Sequence, residues 1–328
     1  MKCKICIKSL TQNEVNKSSH SSCLKRLFAN SKVSMALTYP RAQFQQQVRV
    51  AVQSGRMSIS GVQPKAQMDL KSKNGPLVVV ESGGDYILKP TPEGFPEAAI
   101  NEHLSMQLAK IAGFIIPECG LVGFESVGEE QREEAYIVKR FDRDGEKKLH
   151  HEDMMQILAI NNLNTDAKYD AATYYDVLRK ISDMAGLGVT LEAMKRIIFN
   201  YLIGNDDYHL KNISMMHGKT LNLTPIYDCL NTQIYSSKTN SPLALKLTND
   251  DQSLPYYGKM GNGLYAKDDF LELAESVGLP IKLMEKEIKK LLFMIPSMIE
   301  MVKDSGLSDG IKQQYSETLF QRIKLLSI

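Results

Sequence analysis

The sequence predicts an α+β protein of two lobes, strand-rich first and helix-rich second. Three observations predict it. Short apolar or alternating runs at 65–70, 76–80, 85–90 and 135–140 are bounded by turn residues, the mark of strands. From about residue 151 onward, apolar residues recur at helical spacing instead. The stretches fall near 151–160, 170–183, 190–203, 267–277, 281–303 and 310–327. Strands gathered before helices are the α+β pattern. Third, a chain of 328 residues is long enough for one two-lobed domain or two small ones. The expected divisions are 1–53, an N-terminal segment with cysteine pairs and a first strand; 54–140, the strand-rich lobe; and 141–328, the helical lobe.

Composition narrows the class. Hydrophobic residues at 43% and charged residues at 24% suit an ordinary globular core. A formal net charge of +2 gives no argument for general nucleic-acid binding. No stretch approaches a membrane span, and the first residues carry no signal-peptide core. Five cysteines, an odd and sparse set, favour a reducing cytoplasm over a disulfide framework.

At the N-terminus, Cys3 and Cys6 form one pair, and His20 and Cys23 a second. Four soft ligands in two pairs could bind zinc. The spacing fits no standard finger, so two reduced pairs on a small hairpin without metal are the favoured expectation, with zinc as the alternative. Val48, Val50 and Val52 alternate with polar residues and predict the first strand. A loop of small residues follows, with Ser58, Ser60, Gly61 and Val62 at its centre. Small residues between strands suit a loop that closes over phosphates with its backbone amides. It is neither a Walker A loop nor the usual GxGxxG, and a plain turn has the same composition. Lys73, Asn74 and Gly75 predict a hairpin turn between the next two strands.

The strand at 85–90 carries Lys89, and a helix from Pro96 to Ala112 follows, ended by Gly113. Its main stripe is Ile100, Leu104, Leu108 and Ile111. Glu102 lies off that stripe, among Ala99, Met106 and Ala109. A carboxylate on such a face needs a partner, and Lys89 is the candidate. In kinases a strand Lys holds the nucleotide phosphates and pairs with a helix Glu. The strand at 135–140 ends in a turn, and Lys139, Arg140 and Phe141 are the expected hinge, where adenine would meet backbone groups.

The chemistry concentrates after the helix at 190–203, where Gly204 stops a run with Leu191, Met194, Ile198 and Tyr201 at helical spacing. Asp207, His209 and Asn212 come next. An Asp with an Asn five residues on is the spacing of a kinase catalytic loop. The Asp must reach the attacking hydroxyl, and the Asn must reach a magnesium ion on the same phosphates. Residues 221–228 predict a short strand ending in Asp228, placed as the second metal-binding carboxylate. Magnesium prefers hard oxygen ligands and keeps several waters, so one Asp, one Asn and the ATP phosphates suffice.

These runs together resemble the HipA-type toxin kinases, whose fold is two-lobed and protein-kinase-like. The matching runs are 58–65, 101–102, 138–143, 151–154, 201–212, 223–228 and 243–247, in family order across about residues 55–305. The resemblance implies Asp207 as the catalytic Asp and His209 as part of the loop signature that orders it. It implies Asn212 and Asp228 as magnesium ligands. Lys89 would contact ATP phosphates and be oriented by Glu102. It implies autophosphorylation at Ser58, with Ser60 a second hydroxyl. The implied activity is ATP-dependent serine/threonine phosphorylation of an aminoacyl-tRNA synthetase, for glutamate or for tryptophan, which halts translation in the bacterial cytoplasm. Export into a host cell stays open. The implied partner is an antitoxin with a DNA-binding helix-turn-helix, so DNA is met only through it. Only some 50 residues precede the phosphate loop, fewer than in a full-length HipA-like chain. This is similar to the shorter HipT branch, in which a separate small protein stands in for the missing subdomain. Two other functions compete: a catalytically silent nucleotide-binding regulator acting through partners, and a small-molecule phosphotransferase sharing the D-x-H-x-x-N loop. The first needs a missing catalytic group, and none is missing. The second lacks a reason for the loop serines.

Overall fold

The computed structural model describes residues 1–53, 65–72, 75–126, 128, 133–145, 147–161, 164–235 and 241–328. Two compact units emerge. The first contains Met1–Gln107, Ile116–Lys147 and Lys303–Leu307; the second contains Leu108–Ile115, Lys148–Val302 and Ser308–Ile328.

The first unit begins with a tight turn carrying Cys3 and Cys6, then α1 (Ser21–Phe28) and α2 (Arg41–Gln53). Five antiparallel strands follow as one sheet: β1 (Ala66–Leu70), β2 (Leu77–Val79), β3 (Tyr86–Pro90), β4 (Cys119–Gly123) and β5 (Glu134–Lys139). Their order is β2-β1-β3-β5-β4, with Leu88 opposite Ile137 and Leu121 opposite Tyr136 fixing the register. Between β3 and β4 runs α3 (Ala98–Ile111). The core joins Leu24, Leu27 and Phe28 of α1 to Phe44 and Val48 of α2 and to Met68, Leu88 and Ile137 of the sheet. A small ribbon of β6 (Arg143–Asp144) and β7 (Lys147–Lys148) ends this part.

The second unit is helical around a second small sheet. The order is β8 (His151–Asp153), α4 (Met154–Ile157), α5 (Ala167–Asp170), α6 (Tyr174–Ala185), α7 (Leu187–Ile203), β9 (Ser214–His217) and β10 (Leu221–Leu223). The chain ends in α8 (Tyr257–Met260), α9 (Lys267–Ser276), α10 (Ile281–Phe293), α11 (Ile295–Asp304) and α12 (Asp309–Ser327). The sheet is antiparallel, in the order β10-β9-β8. From Arg196 to Ile203, α7 is buried on every side and packs against α6, α10 and α12. A helix apolar all round is a core helix.

Several sequence expectations are corrected. The first strand expected at Val48, Val50 and Val52 is part of α2. Phe44, Val48 and Ala51 are buried at helical spacing, whereas Val50 is 60% exposed. The alternation of valines was a coincidence of one helical turn. The helix expected over 151–160 is a strand and one helical turn. Asp153 caps at Met154, its side chain accepting from Gln156 N at 2.9 Å, so His151 to Asp153 are left to pair with β9. Thr173 and Asp176 form the capping box that starts α6 at Tyr174 rather than at 170. The single helix expected over 281–303 breaks at Met294, because Pro296 has no N–H for a continuing helix. The strand expected over 221–228 stops at Leu223, two residues before Pro225. In the turn between β1 and β2, Gly75 donates to Ser72 O at 2.9 Å; Lys73 and Asn74 lie outside the described residues.

Candidate active site

The end of α7 builds the candidate catalytic loop of the second unit. Gly204, at φ +77°, closes the helix in the left-handed conformation. Its amide bonds back to Tyr201 and the next amide, Asn205 N, to Asn200 O at 2.9 Å. A side chain there would also meet Thr318 Cγ2 at 2.6 Å, so both backbone and space require glycine. Beyond it, a buried polar relay carries the chain into the loop. Asn200 Nδ2 donates to Arg196 O at 2.9 Å, Asn205 Nδ2 to Asn200 Oδ1 at 2.7 Å, and Asp207 N to Asn205 Oδ1 at 3.1 Å. Both Asn200 and Asn205 are 0% exposed, where an unpaired amide would be costly.

The loop is then fastened to itself. Asn212 Nδ2 donates to Asp207 O at 2.7 Å, which folds the five-residue spacing into a single turn ending in the 3-10 segment Leu210–Asn212. With Nδ2 so used, Oδ1 is the Asn212 atom suited to a cation. Tyr174 Oη donates to Tyr208 O at 2.8 Å and Tyr227 Oη to Lys211 O at 2.9 Å, so two tyrosines from outside the loop hold its carbonyls. Asp207 remains 40% exposed at its side chain, and its Oδ1 accepts a hydrogen bond from Tyr169 Oη at 2.5 Å. The imidazole of buried His209 stands 3.6 Å from that same oxygen, too long for a hydrogen bond, and meets the Tyr169 ring edge-on at 5.0 Å. Burial lowers the His209 pKa, opposed by the charges of Asp207 and Asp228. His209 is buried in the loop against the Tyr169 ring.

Asp228 is a non-glycine residue at φ +53°. Asp tolerates this left-handed conformation better than most residues, and such strain gathers at functional sites. Two contacts from α7 hold its segment: Arg196 Nη1 donates to Thr224 O at 2.7 Å, and Cys229 Sγ lies 3.6 Å from Asn200 Oδ1. Asn200 thus touches both the Asp207 loop and the residue after Asp228. One carboxylate and one amide oxygen are hard donors that fit magnesium shared with phosphates, and they do not form an all-protein cage.

The first unit carries a second group of candidate residues. Lys89 Nζ donates to Glu102 Oε1 at 2.7 Å. The residues are 8% and 2% exposed, so the pair is buried. The face that carries Glu102 is buried because α3 is enclosed on almost every side between Ala98 and Ala109. Tyr136 of β5 lies beneath the ammonium, its ring centre 5.7 Å away. In the expected hinge, Lys139 N donates to Glu118 O and Arg140 N to Asp85 O, both at 2.8 Å. Those two amides are committed within the fold. The Arg140 guanidinium forks onto both oxygens of Asp142, at 2.9 and 2.7 Å. Phe141 is half-buried beside them. Ser58, Ser60, Gly61 and Val62 lie outside the described residues. Sequence reasoning missed Arg196, Asn200, Asn205 and Tyr169. The first two leave a signal, a polar pair four residues apart inside an apolar helix. Tyr169 leaves none.

Comparison with known proteins settles the family. Residues 57–299 match the HipA-like C-terminal domain. The chain belongs to this family. A Haemophilus influenzae relative named "Putative kinase" is 36% identical over 84% of this chain and 83% of its own length. The serine/threonine-protein kinase toxin HipA of Shewanella oneidensis is 26% identical over 74% of this chain, which spans 57% of that toxin. A solved structure of the Shewanella oneidensis MR-1 toxin–antitoxin system HipA, HipB and its operator DNA has a TM-score of 0.65. It covers 83% of this chain and 65% of that HipA-like chain at 21% identity, a likeness of fold. The fold is α+β, as the order of strands and helices predicts, and kinase-like, as the family resemblance implies. No helix among the described residues is long and apolar enough to cross a membrane.

Proposed function

We propose that this chain is an ATP-dependent serine/threonine protein kinase and the toxin of a toxin–antitoxin system, acting in the bacterial cytoplasm. The observation that carries the catalytic reading is the Asp207 carboxylate. Its backbone is fixed by Asn205 and Asn212, and its Oδ1 already accepts a hydroxyl hydrogen bond, from Tyr169. A carboxylate so held can orient a serine or threonine hydroxyl and take its proton as the oxygen attacks phosphorus. Lys89, oriented by Glu102, would hold ATP phosphates. Asn212 and Asp228 would hold magnesium, which neutralises charge on the transferred phosphoryl group when bound.

The substrate proposed from family membership is an aminoacyl-tRNA synthetase. The proposed partner is a helix-turn-helix antitoxin, through which DNA is met. Support comes from the Shewanella neighbour, which is a complex of HipA with HipB and operator DNA. Ser58 and Ser60 are the proposed autophosphorylation sites, on the strength of their sequence context. A phosphate there adds about −1.5 to −2 charges beside the nucleotide phosphates and would switch transfer off. Intact-mass and peptide mass spectrometry of the purified protein, with and without ATP and magnesium, tests this reading. Phosphate on Ser58 or Ser60 is expected in the wild type and none in Asp207→Gln. A wild type that neither modifies itself nor consumes ATP with any cellular protein would refute the kinase.

A further inference from the structure

The N-terminal cysteine pairs come together in the fold. The donor atoms of Cys3, Cys6, His20 and Cys23 all lie within 4.8 Å of one another. His20 Nδ1 is 3.4 Å from Cys6 Sγ and 3.8 Å from Cys23 Sγ. With metal–sulfur bonds of about 2.3 Å, the edges of a tetrahedral zinc site are roughly 3.5 to 3.8 Å. His20 Nδ1 already stands at about such an edge from the sulfurs of Cys6 and Cys23. Cys3 and Cys6 sit on a tight turn, closed by Ile7 N on Cys3 O at 2.9 Å with Ile7 at φ +62°. His20 and Cys23 flank the start of α1, so one turn of helix brings both to the same side.

The surroundings point to a ligand as well. His20 Nε2 faces Ser9 O at 3.1 Å, so the proton belongs on Nε2 and the lone pair on Nδ1 faces the thiols. A backbone carbonyl fixing the tautomer of a ligating histidine is the usual outer arrangement of a metal site. The Arg26 guanidinium lies 3.2 Å from Cys23 Sγ. Three thiolates with zinc carry one net negative charge, and Arg26 offsets it. The other such group among the described residues, His150, Glu152 and His217, has its imidazoles and carboxylate open to solvent and no thiolate.

The turn also braces the sheet and α3. Leu121 N of β4 donates to Lys4 O at 2.8 Å, and His103 Nε2 of α3 donates to Ile5 O at 3.0 Å. Gly120 leaves room for this approach: a Cβ there would stand 3.0 Å from both Lys4 O and Ile5 Cγ1. His103 is the neighbour of Glu102.

We infer that Cys3, Cys6, His20 and Cys23 bind one zinc ion as a closed structural site, and that the ion holds the turn that braces α3 beside Glu102. Four protein ligands leave no open position, so the ion does no chemistry on substrate. Binding releases the three thiol protons to solvent as the sulfurs become ligands, with no redox change. The braced residue, Glu102, takes its catalytic meaning from the kinase reading; zinc binding does not depend on it.

The test uses the full chain purified without chelator. Elemental analysis should find one zinc per chain in the wild type and in Cys119→Ser, a buried cysteine outside the cluster. Cobalt replacing the zinc should give the intense visible bands of a tetrahedral ion with thiolate charge transfer. Cys6→Ser should weaken that transfer and lower zinc affinity by at least about tenfold. Amide exchange should speed at Ile5 and at His103 when zinc is stripped from the wild type, a readout independent of kinase activity. A wild type that carries no zinc and shows no tetrahedral bands on cobalt titration overturns the site, whatever the variants do. Zinc binding with unchanged exchange at α3 overturns the brace.

Discussion

Tyr169 makes the contact with the clearest consequence for a single residue. Its hydroxyl donates to Asp207 Oδ1 at 2.5 Å, the atom proposed to receive the hydroxyl of a substrate. Burial and this hydrogen bond both push the Tyr169 pKa upward, so it stays a protonated donor at neutral pH. A substrate hydroxyl must displace it. A hydrogen bond to a charged group contributes about 1.5–3 kcal/mol, and Oδ2 of Asp207, which accepts no hydrogen bond from the described residues, lessens the competition. Tyr169→Phe should therefore raise the initial rate of phosphate transfer into cell-extract protein by roughly three- to tenfold. A tenfold fall instead would make Tyr169 a group that aims Asp207 rather than one that occupies it.

Among the elements, α3 holds the Lys89–Glu102 pair of the first unit and α7 leads into the Asp207 loop of the second. On α3 the buried Lys89–Glu102 pair contributes little net stability as a pair but a great deal against breaking. Glu102→Ala should cost about 3–5 kcal/mol in urea denaturation, because it removes the carboxylate from a buried ammonium. The double change Lys89→Met with Glu102→Leu should restore most of it. A loss under about 1 kcal/mol for Glu102→Ala would mean the pair behaves as exposed. On α7, Asn200→Ala removes the amide that joins the Asp207 loop to Cys229. The expected result is a loss of about 1–3 kcal/mol in stability together with a slower transfer step at unchanged ATP affinity. Rates equal to wild type at equal folded fraction would remove Asn200 from the positioning chain.

The elements also show what a sequence discloses. The strand Lys, the helix Glu and their pairing were legible, because a carboxylate on a face of small apolar residues has few options. The Asp207 loop was legible from a spacing that one turn enforces. The helix at 41–53 was not, because three alternating valines outweighed the 44, 48, 51 stripe that buries it. The break at Pro296 was visible in sequence but overridden by a continuous helical period around it. Tyr169 lies 38 positions from Asp207, and no local pattern announces a contact made by the fold. The cysteine pairs failed to resemble a finger because their geometry comes from a turn meeting a helix start.

At the level of the whole molecule, acid should destabilise the first unit through His103. Burial lowers its pKa from 6.5 to about 4, and the neutral ring donates to Ile5 O. The unfolded chain takes a proton on this histidine below about pH 6.5 and the folded chain only near pH 4. The unfolded state thus binds more protons across that window, so stability is complete above it and falls as pH drops through it. The fall attributable to this residue is on the order of 3 kcal/mol. His103→Gln keeps a donor for Ile5 O and should flatten the profile between pH 6.5 and 4, measured as denaturation midpoints against wild type. Parallel profiles would assign the acid sensitivity elsewhere.

The central claim is that this chain transfers phosphate from ATP to protein hydroxyls, with Asp207 orienting the hydroxyl and taking its proton. Its most direct test is quantitative phosphoproteomics of bacteria after brief expression of the wild type or of Asp207→Gln, with both folded to the same extent. The account predicts a small set of new phosphoserines or phosphothreonines in the wild type, with an aminoacyl-tRNA synthetase among them. Asp207→Gln should reduce these by about 100-fold or more, the usual cost of removing a group that positions the nucleophile. Identical phosphoproteomes, or full modification by a folded Asp207→Gln protein, would contradict it.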